Sequence, residues 1–128
     1  MSSTVAICQF RPTASRPDNR ARIAEFTADA AARGARLVVF PEYSSYFVDP
    51  IDASLAENAE TLDGQFVQAL RDAASAHDVT IIAGLVETAG ERVRNTLAAV
   101  DATGLRAVYR KQHLYDAFGQ TESDWIEA

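Results

Sequence analysis

Two ionisable residues stand where apolar, strand-like segments end, and both side chains can do chemistry. Glu42 follows segment 36–40 through Pro41, and Lys111 closes segment 105–111. Lys111 is the single lysine among the twelve basic residues. A carboxylate at a strand end can act as a general base, and an ammonium group can stabilise an oxyanion where a guanidinium does not fit. Each residue also has a purely structural interpretation. Glu42 can cap a nearby backbone amide, and Lys111 can be an ordinary solvated lysine at a strand end.

Cys8 and His113 are further candidates for chemistry. Cys8 lies inside the strand-like segment 4–10, where burial favours an inert packing role over that of a nucleophile. His113 can serve as a base or a metal ligand. Two histidines and one cysteine do not supply an ordinary zinc site, and the six glycines are too scattered for a phosphate-binding loop. The sequence therefore predicts no metal site.

The segments around these residues alternate between strand and helix periodicity, which predicts an α/β fold. The predicted strands are 4–10, 36–40, 79–86, 94–100 and 105–111. A first helix is predicted over 17–33. A second helix, capped by Asp63, carries Phe66, Leu70, Ala73 and His77 on one face. The first two strands and the helix between them form a β-α-β unit with parallel strands, and the last two strands form an antiparallel hairpin.

Composition excludes several classes of protein. With 128 residues, 48 % of them apolar, the chain can bury the core of one domain. Eighteen acidic and twelve basic residues leave a net charge of −6, without the basic patch expected for binding nucleic acid or an anionic membrane. A single cysteine cannot form an internal disulfide, and the first residues lack the features of a secretion signal. We therefore expect a cytoplasmic protein.

Three groups of residues together resemble the carbon–nitrogen hydrolase (nitrilase) superfamily. The segment LVVFPEY, which contains Glu42, is similar to the family's glutamate motif, and YRKQHL, which contains Lys111, is similar to its lysine motif. Supporting matches are Leu62-Asp63-Gly64, Ile81-Ile82-Ala83-Gly84 and Asn95-Thr96. The resemblance runs from the first strand to about Glu127.

The resemblance implies a fold and a reaction. The fold is an α/β, partial α-β-β-α sandwich that lacks its C-terminal half, with residues 1–128 as the N-terminal portion of a single domain. The reaction is hydrolysis of a non-peptide carbon–nitrogen bond in a small amide, carbamoyl compound or nitrile, without a cofactor. Glu42 would be the base, Lys111 the oxyanion stabiliser and Glu122 a second glutamate that orients the site. A homo-oligomer is implied for the full-length protein.

The family's nucleophilic cysteine has no counterpart in the segment at hand. It follows the lysine motif by some tens of residues, whereas the sequence ends at Ala128 and Cys8 precedes the glutamate motif. We therefore expect base and lysine without the nucleophile, and a chain that by itself hydrolyses nothing. The Glu42 carboxylate and the Lys111 ammonium should lie within about 4 Å of each other or be bridged by one water, and part of the sheet should expose an apolar face.

Two other functions remain open at this point. In a non-catalytic α/β binding module, Glu42 and Lys111 would form a structural ion pair and partners would dock on the sheet edge. A nucleotide-binding module is disfavoured by the absence of a glycine-rich loop. The aromatic segment from Tyr43 to Phe47 is expected to line a pocket, but it does not reveal the substrate, so the substrate-binding residues are unknown.

Overall fold

A five-stranded mixed sheet is the framework of the structure, a computed structural model that describes residues 2–128. The strands are β1 (Thr4–Ile7), β2 (Ala35–Val39), β3 (Thr80–Ala89), β4 (Arg92–Asp101) and β5 (Gly104–Arg110). They lie side by side in chain order. The β1–β2 and β2–β3 pairs are parallel, and the β3–β4 and β4–β5 pairs are antiparallel. The predicted α/β class and C-terminal hairpin are confirmed, although β1 ends three residues before the predicted limit.

Three helices lie between the strands: α1 (Arg16–Ala32), α2 (Ser54–Glu57) and α3 (Gln65–His77). Helix α1 begins where Ser15 accepts a hydrogen bond from the Asp18 backbone N–H, 3.3 Å away. The predicted cap of α3 is wrong, because Asp63 instead accepts a hydrogen bond from the Thr61 hydroxyl. The Glu60 carboxylate takes the capping role and accepts from the first turn of the helix. None of these helices, nor any other among residues 2–128, is long and apolar enough to cross a membrane.

Helices α1 and α3 cover one face of the sheet and enclose the main core. The strands contribute alternate residues to it, among them Val38, Ile81 and Ala98, which are fully buried. Helix α3 buries Phe66, Val67, Leu70 and Ala74. The predicted helix face is therefore corrected at two positions: Ala73 is half-buried and His77 is exposed, because the buried stripe follows the four-residue spacing through Ala74.

The opposite face of the sheet is apolar and partly uncovered. One row crosses all five strands in register and consists of Ile7, Val39, Ile82, Ala99 and Ala107. Ile7 keeps 69 % of its surface exposed, and Tyr109, on the same face, keeps 57 %. We call this surface the open sheet face. It is the exposed apolar surface that the sequence predicts.

A second, smaller core covers the end of the sheet where β2 and β3 finish. It contains Tyr43, Tyr46, Leu55, Val86, Val93 and Ile126. The C-terminal segment reaches it by pairing with β4, since the backbone N–H of Val93 donates to the carbonyl of Trp125 at 3.1 Å. The segment after β5 shows no periodicity in the sequence, yet its end is packed, with Ile126 fully buried.

Candidate active site

Glu42 stands in a tight turn that is pressed against β3. Two backbone hydrogen bonds of 3.2 Å hold the turn, from Gly84 N–H to the Pro41 carbonyl and from Ser45 N–H to the Gly84 carbonyl. A Cβ on Gly84 would lie 2.9 Å from the Glu42 Cα and 2.8 Å from the Tyr43 nitrogen. Tyr43 itself has a left-handed backbone, with φ of 56°. Gly84 therefore permits the close approach that places Glu42.

Two donors converge on the Glu42 carboxylate from β4 and the end of β5. The Asn95 side-chain amide donates to Oε1. The Lys111 ammonium donates to the same oxygen across 3.3 Å, so the predicted separation of these two residues is confirmed. The Lys111 backbone N–H in turn bonds the Asn95 carbonyl at 2.9 Å. The Glu42 side chain keeps 53 % of its surface exposed and remains accessible.

Glu122 is the third charged member of the cluster, and unlike Glu42 it is buried. Its Oε1 accepts from the Tyr43 hydroxyl at 3.1 Å and from the Lys111 ammonium at 3.2 Å. Its Oε2 accepts from the Tyr115 backbone N–H at 2.7 Å. The structure thus brings the three site residues predicted from the sequence together, with Lys111 between two carboxylates.

The two carboxylates shift the pKa values of their neighbours. Burial disfavours the charged form of Lys111, but hydrogen bonds and charges from Glu122 and Glu42 outweigh it, so the Lys111 pKa lies above its ordinary value. Burial, then the charges of Glu122 and Glu42, raise the pKa of Tyr43 as well. Lys111 is therefore a cation and Tyr43 a neutral hydrogen-bond donor at physiological pH.

Two cavities meet at Glu42. The larger has a volume of about 810 Å³ and is bordered by Glu42, Glu122 and apolar or aromatic residues such as Phe10, Phe47 and Tyr115. The smaller, of about 190 Å³, opens beside Glu42, Asn95, Lys111, Gly84 and Tyr109. Of the aromatic segment that the sequence predicts to line a pocket, Tyr43 and Phe47 border the larger cavity.

The other candidate residues lie apart from this cluster. Cys8 belongs to the core between the sheet and the helices, and burial, followed by the charge of Asp29, raises its pKa. His113 is exposed on the segment after β5. Among residues 2–128, no group of three or more His, Cys, Asp or Glu side chains is arranged to hold a metal ion.

Comparison with known proteins shows the family of the chain. The family profile described as carbon-nitrogen hydrolase matches residues 4–128. The chain belongs to the carbon–nitrogen hydrolase family. It is 38 % identical over 123 residues to a hydrolase of Mycobacterium tuberculosis, covering 93 % of this chain and 43 % of the relative. It is 35 % identical over 126 residues to deaminated glutathione amidase of Escherichia coli O157:H7, covering 97 % of this chain and 48 % of the relative.

Solved structures of the nitrilase superfamily share the fold. The NitFhit protein of Caenorhabditis elegans superposes with a TM-score of 0.84 at 22 % identity, over 100 % of this chain and 34 % of that one. A carbon–nitrogen hydrolase of Helicobacter pylori G27 gives a TM-score of 0.81 at 21 % identity, over 96 % of this chain and 44 % of that one. The chain thus spans less than half the length of these relatives, and its fold matches part of theirs.

Sequence reasoning missed the contributions of Asn95, Gly84 and Tyr43 to the site. Asn95 contacts Glu42 because of the strand register, which a sequence does not display. Gly84 did carry a signal, since a glycine inside an apolar strand marks the close approach of another backbone. Tyr43 was predicted only as a pocket residue, and its bond to Glu122 joins positions 79 residues apart.

Proposed function

We propose that the whole protein hydrolyses a non-peptide carbon–nitrogen bond in a small amide, carbamoyl compound or nitrile. The observation that carries the proposal is the accessible Glu42 carboxylate, 3.3 Å from the Lys111 ammonium and backed by the buried Glu122. Relatives named as amidases favour an amide as the substrate. The larger cavity next to Glu42, about 810 Å³ in volume, would hold the substrate.

In the proposed reaction on an amide, a cysteine thiol attacks the carbonyl carbon while Glu42 takes its proton. The Lys111 ammonium stabilises the oxyanion of the tetrahedral intermediate. Glu42 returns the proton to the leaving amine as the carbon–nitrogen bond breaks. Water, deprotonated by Glu42, then hydrolyses the thioester to the acid and regenerates the thiol. Glu122 holds Lys111 and Tyr43 in place, and no cofactor takes part.

The proposal assigns the nucleophile to a part of the protein outside residues 1–128, which form the N-terminal portion of a single carbon–nitrogen hydrolase domain. Cys8 is a poor nucleophile, because it is buried in the helix-side core and burial raises its pKa. We expect residues 1–128 by themselves to hydrolyse nothing. We also expect the whole protein to be a cytoplasmic homo-oligomer with a small-molecule substrate and no nucleic-acid or membrane partner.

The test is hydrolysis by the whole protein, measured on simple amides, carbamoyl compounds and nitriles. Glu42→Gln should lower kcat/KM at least about a hundredfold, since it removes the general base. Glu25→Gln is the matched control, because Glu25 is an exposed carboxylate on α1 whose ion-pair partner is Arg22, 3.5 Å away. Full activity of Glu42→Gln would overturn the proposal. Absence of hydrolysis by the unmodified whole protein would favour the non-catalytic binding module.

A further inference from the structure

Glu87 is a buried carboxylate on the helix-covered side of the sheet, and it accepts hydrogen bonds from side chains of β4 and β5. Only 7 % of its side chain is exposed. Its Oε1 accepts from Arg110 at 2.7 Å, and its Oε2 accepts from Arg110 at 2.8 Å and from the Thr96 hydroxyl at 2.7 Å. A single residue of β3 therefore reaches across β4 to the end of β5.

Each residue that Glu87 holds is next in sequence to a donor of the Glu42 site. Thr96 follows Asn95, and Arg110 precedes Lys111. Thr96 and Arg110 also face each other in the β4–β5 register. Because side chains alternate along a strand, the residues that Glu87 binds point to one face, and the donors to Glu42 point to the other.

The end of β5 needs such a restraint. β5 is an edge strand whose side chains are exposed along nearly its whole length. The Arg110 side chain is itself 44 % exposed, so it reaches inward from the surface to the buried Glu87. A guanidinium bound through two parallel hydrogen bonds fixes direction as well as distance, unlike a point charge. The bond between Arg110 and Glu87 therefore fixes the end of β5 and, with it, the position of Lys111, the next residue.

We propose that Glu87 is a positioning residue. By binding Thr96 and Arg110 on the helix-covered side of the sheet, Glu87 holds Asn95 and Lys111 against Glu42 on the opposite side. The geometric part of this inference is independent of any reaction. Its consequence for turnover rests on the proposed function. Loss of the Glu87–Arg110 pair should loosen Lys111 from Glu42 and Glu122 without removing any group of the site itself.

Lys111 can be followed directly, because it is the only lysine of the chain. Its acetylation by N-hydroxysuccinimidyl acetate at pH 8.5 is measured by peptide mass spectrometry, with the N-terminal amine as internal reference. The test variant is Glu87→Gln/Arg110→Gln. The control is Asp101→Asn/Arg106→Gln, which removes an ion pair of 3.5 Å at the other end of β5. Both variants leave the net charge unchanged.

The test variant should acetylate Lys111 at least about threefold faster than the unmodified chain, because an ammonium held less closely by the two carboxylates has a lower pKa. The control variant should react at the unmodified rate. Equal rates in all three proteins, each shown to be folded by circular dichroism, would overturn the proposal. An increase of the same size in the control would also overturn it, since that result indicates general loosening of β5.

If the double variant does not fold, Thr96→Val replaces it, with Thr88→Val on the exposed side of β3 as control. Thr96→Val removes only the hydroxyl that donates to Glu87, and it should speed acetylation of Lys111 relative to Thr88→Val. Equal rates in this pair would overturn the proposal. In the whole protein, Glu87→Gln/Arg110→Gln should lower kcat and leave KM nearly unchanged. A whole protein without hydrolytic activity would refute the proposed function but leave the acetylation test valid.

Discussion

Glu42 and Glu122 are chemically alike, and their surroundings give them different capacities. Glu42 is accessible and borders both cavities, so it can exchange protons with a substrate or a nucleophile. Glu122 is buried and holds hydrogen bonds from Tyr43, Lys111 and the Tyr115 backbone. A carboxylate whose oxygens are occupied in this way orients its neighbours. The difference lies in access and hydrogen bonding, since both residues carry the same functional group.

The proposed reaction requires both the positive charge and the compact shape of the Lys111 ammonium group. Lys111→Arg keeps the positive charge, but the planar guanidinium does not fit between two carboxylates that the ammonium contacts at 3.0 and 3.3 Å. We expect kcat/KM of the whole protein to fall at least about a hundredfold. Arg106→Lys on β5, the strand that precedes Lys111, is the control and should keep full activity. Comparable activity of Lys111→Arg would show that charge alone suffices.

Part of the site could be predicted residue by residue. Glu42 and Lys111 follow strand-like segments, and strands of one sheet bring such ends together, so their proximity is readable from the sequence. Asn95 reaches Glu42 only because β3 and β4 pair with Val86 opposite Asn95. That register depends on how the hairpin packs. The roles of these residues in catalysis stay predictions until the variants are measured.

At the scale of elements, the contact between β3 and the turn after β2 decides where the base lies. Gly84→Ala places a methyl group against backbone atoms of Glu42 and Tyr43, which cannot yield as a flexible side chain does. We expect a loss of about 1–3 kcal/mol of unfolding free energy, measured in urea, and strongly reduced activity of the whole protein. Ala107→Val, an added volume on exposed β5, should change neither quantity. An active, fully stable Gly84→Ala would contradict the tight contact.

The ties of β5 to β3 and β4 predict a pH dependence of stability. The hydrogen bonds from Arg110, opposed by burial and aided by Thr96, hold the pKa of Glu87 below its ordinary value. As the pH falls, Glu87 is therefore protonated at a higher pH in the unfolded chain than in the folded chain. The stabilisation is fully present above the unfolded pKa of about 4.3 and is lost as pH falls through the folded pKa.

Urea unfolding of residues 1–128 as a function of pH tests this linkage. The unfolding free energy should decrease as pH falls below about 4.3, and the decrease should be shallower in Glu87→Gln/Arg110→Gln. Asp101→Asn/Arg106→Gln is the comparison at a partly buried carboxylate, because hydrogen bonds from Thr103 lower the pKa of Asp101. An identical pH profile for the unmodified chain and the Glu87→Gln/Arg110→Gln variant would exclude Glu87 as a contributor.

Element boundaries show where the sequence was less informative. The turn at Gly90 and the helix α1 were predictable from local signals, since Gly90 marks a turn and Pro17 and Asp18 favour the start of a helix. The C-terminal segment has no periodicity because it is neither strand nor helix over most of its length. Its order depends on pairing with β4 and on the burial of Ile126, which are tertiary contacts.

At the scale of the whole molecule, the open sheet face sets the behaviour of residues 1–128 in solution. Exposed Ile7 and Tyr109 belong to an apolar surface that crosses the sheet. We expect the chain to bind a hydrophobic dye such as anilinonaphthalene sulfonate and to self-associate, as measured by fluorescence and analytical ultracentrifugation. Ile7→Glu/Tyr109→Glu should reduce both effects.

The control for this prediction places the same charges elsewhere. Ala21→Glu/Ser75→Glu alters exposed positions on α1 and α3 and should leave dye binding and association unchanged. A compact monomer that unfolds cooperatively and does not bind the dye would show that the open sheet face is not adhesive. Such a result would leave the geometry of the site unaffected.

The order of the strands has a consequence for synthesis on the ribosome. Each strand pairs with the one before it in the chain, so every new strand adds to an edge that has already emerged. Glu42 emerges early, and its partner Lys111 follows 69 residues later. The Glu42 carboxylate therefore has no contact with the Lys111 ammonium until β5 has left the exit tunnel and paired with β4. The charged pair therefore forms only after the five strands have emerged and paired.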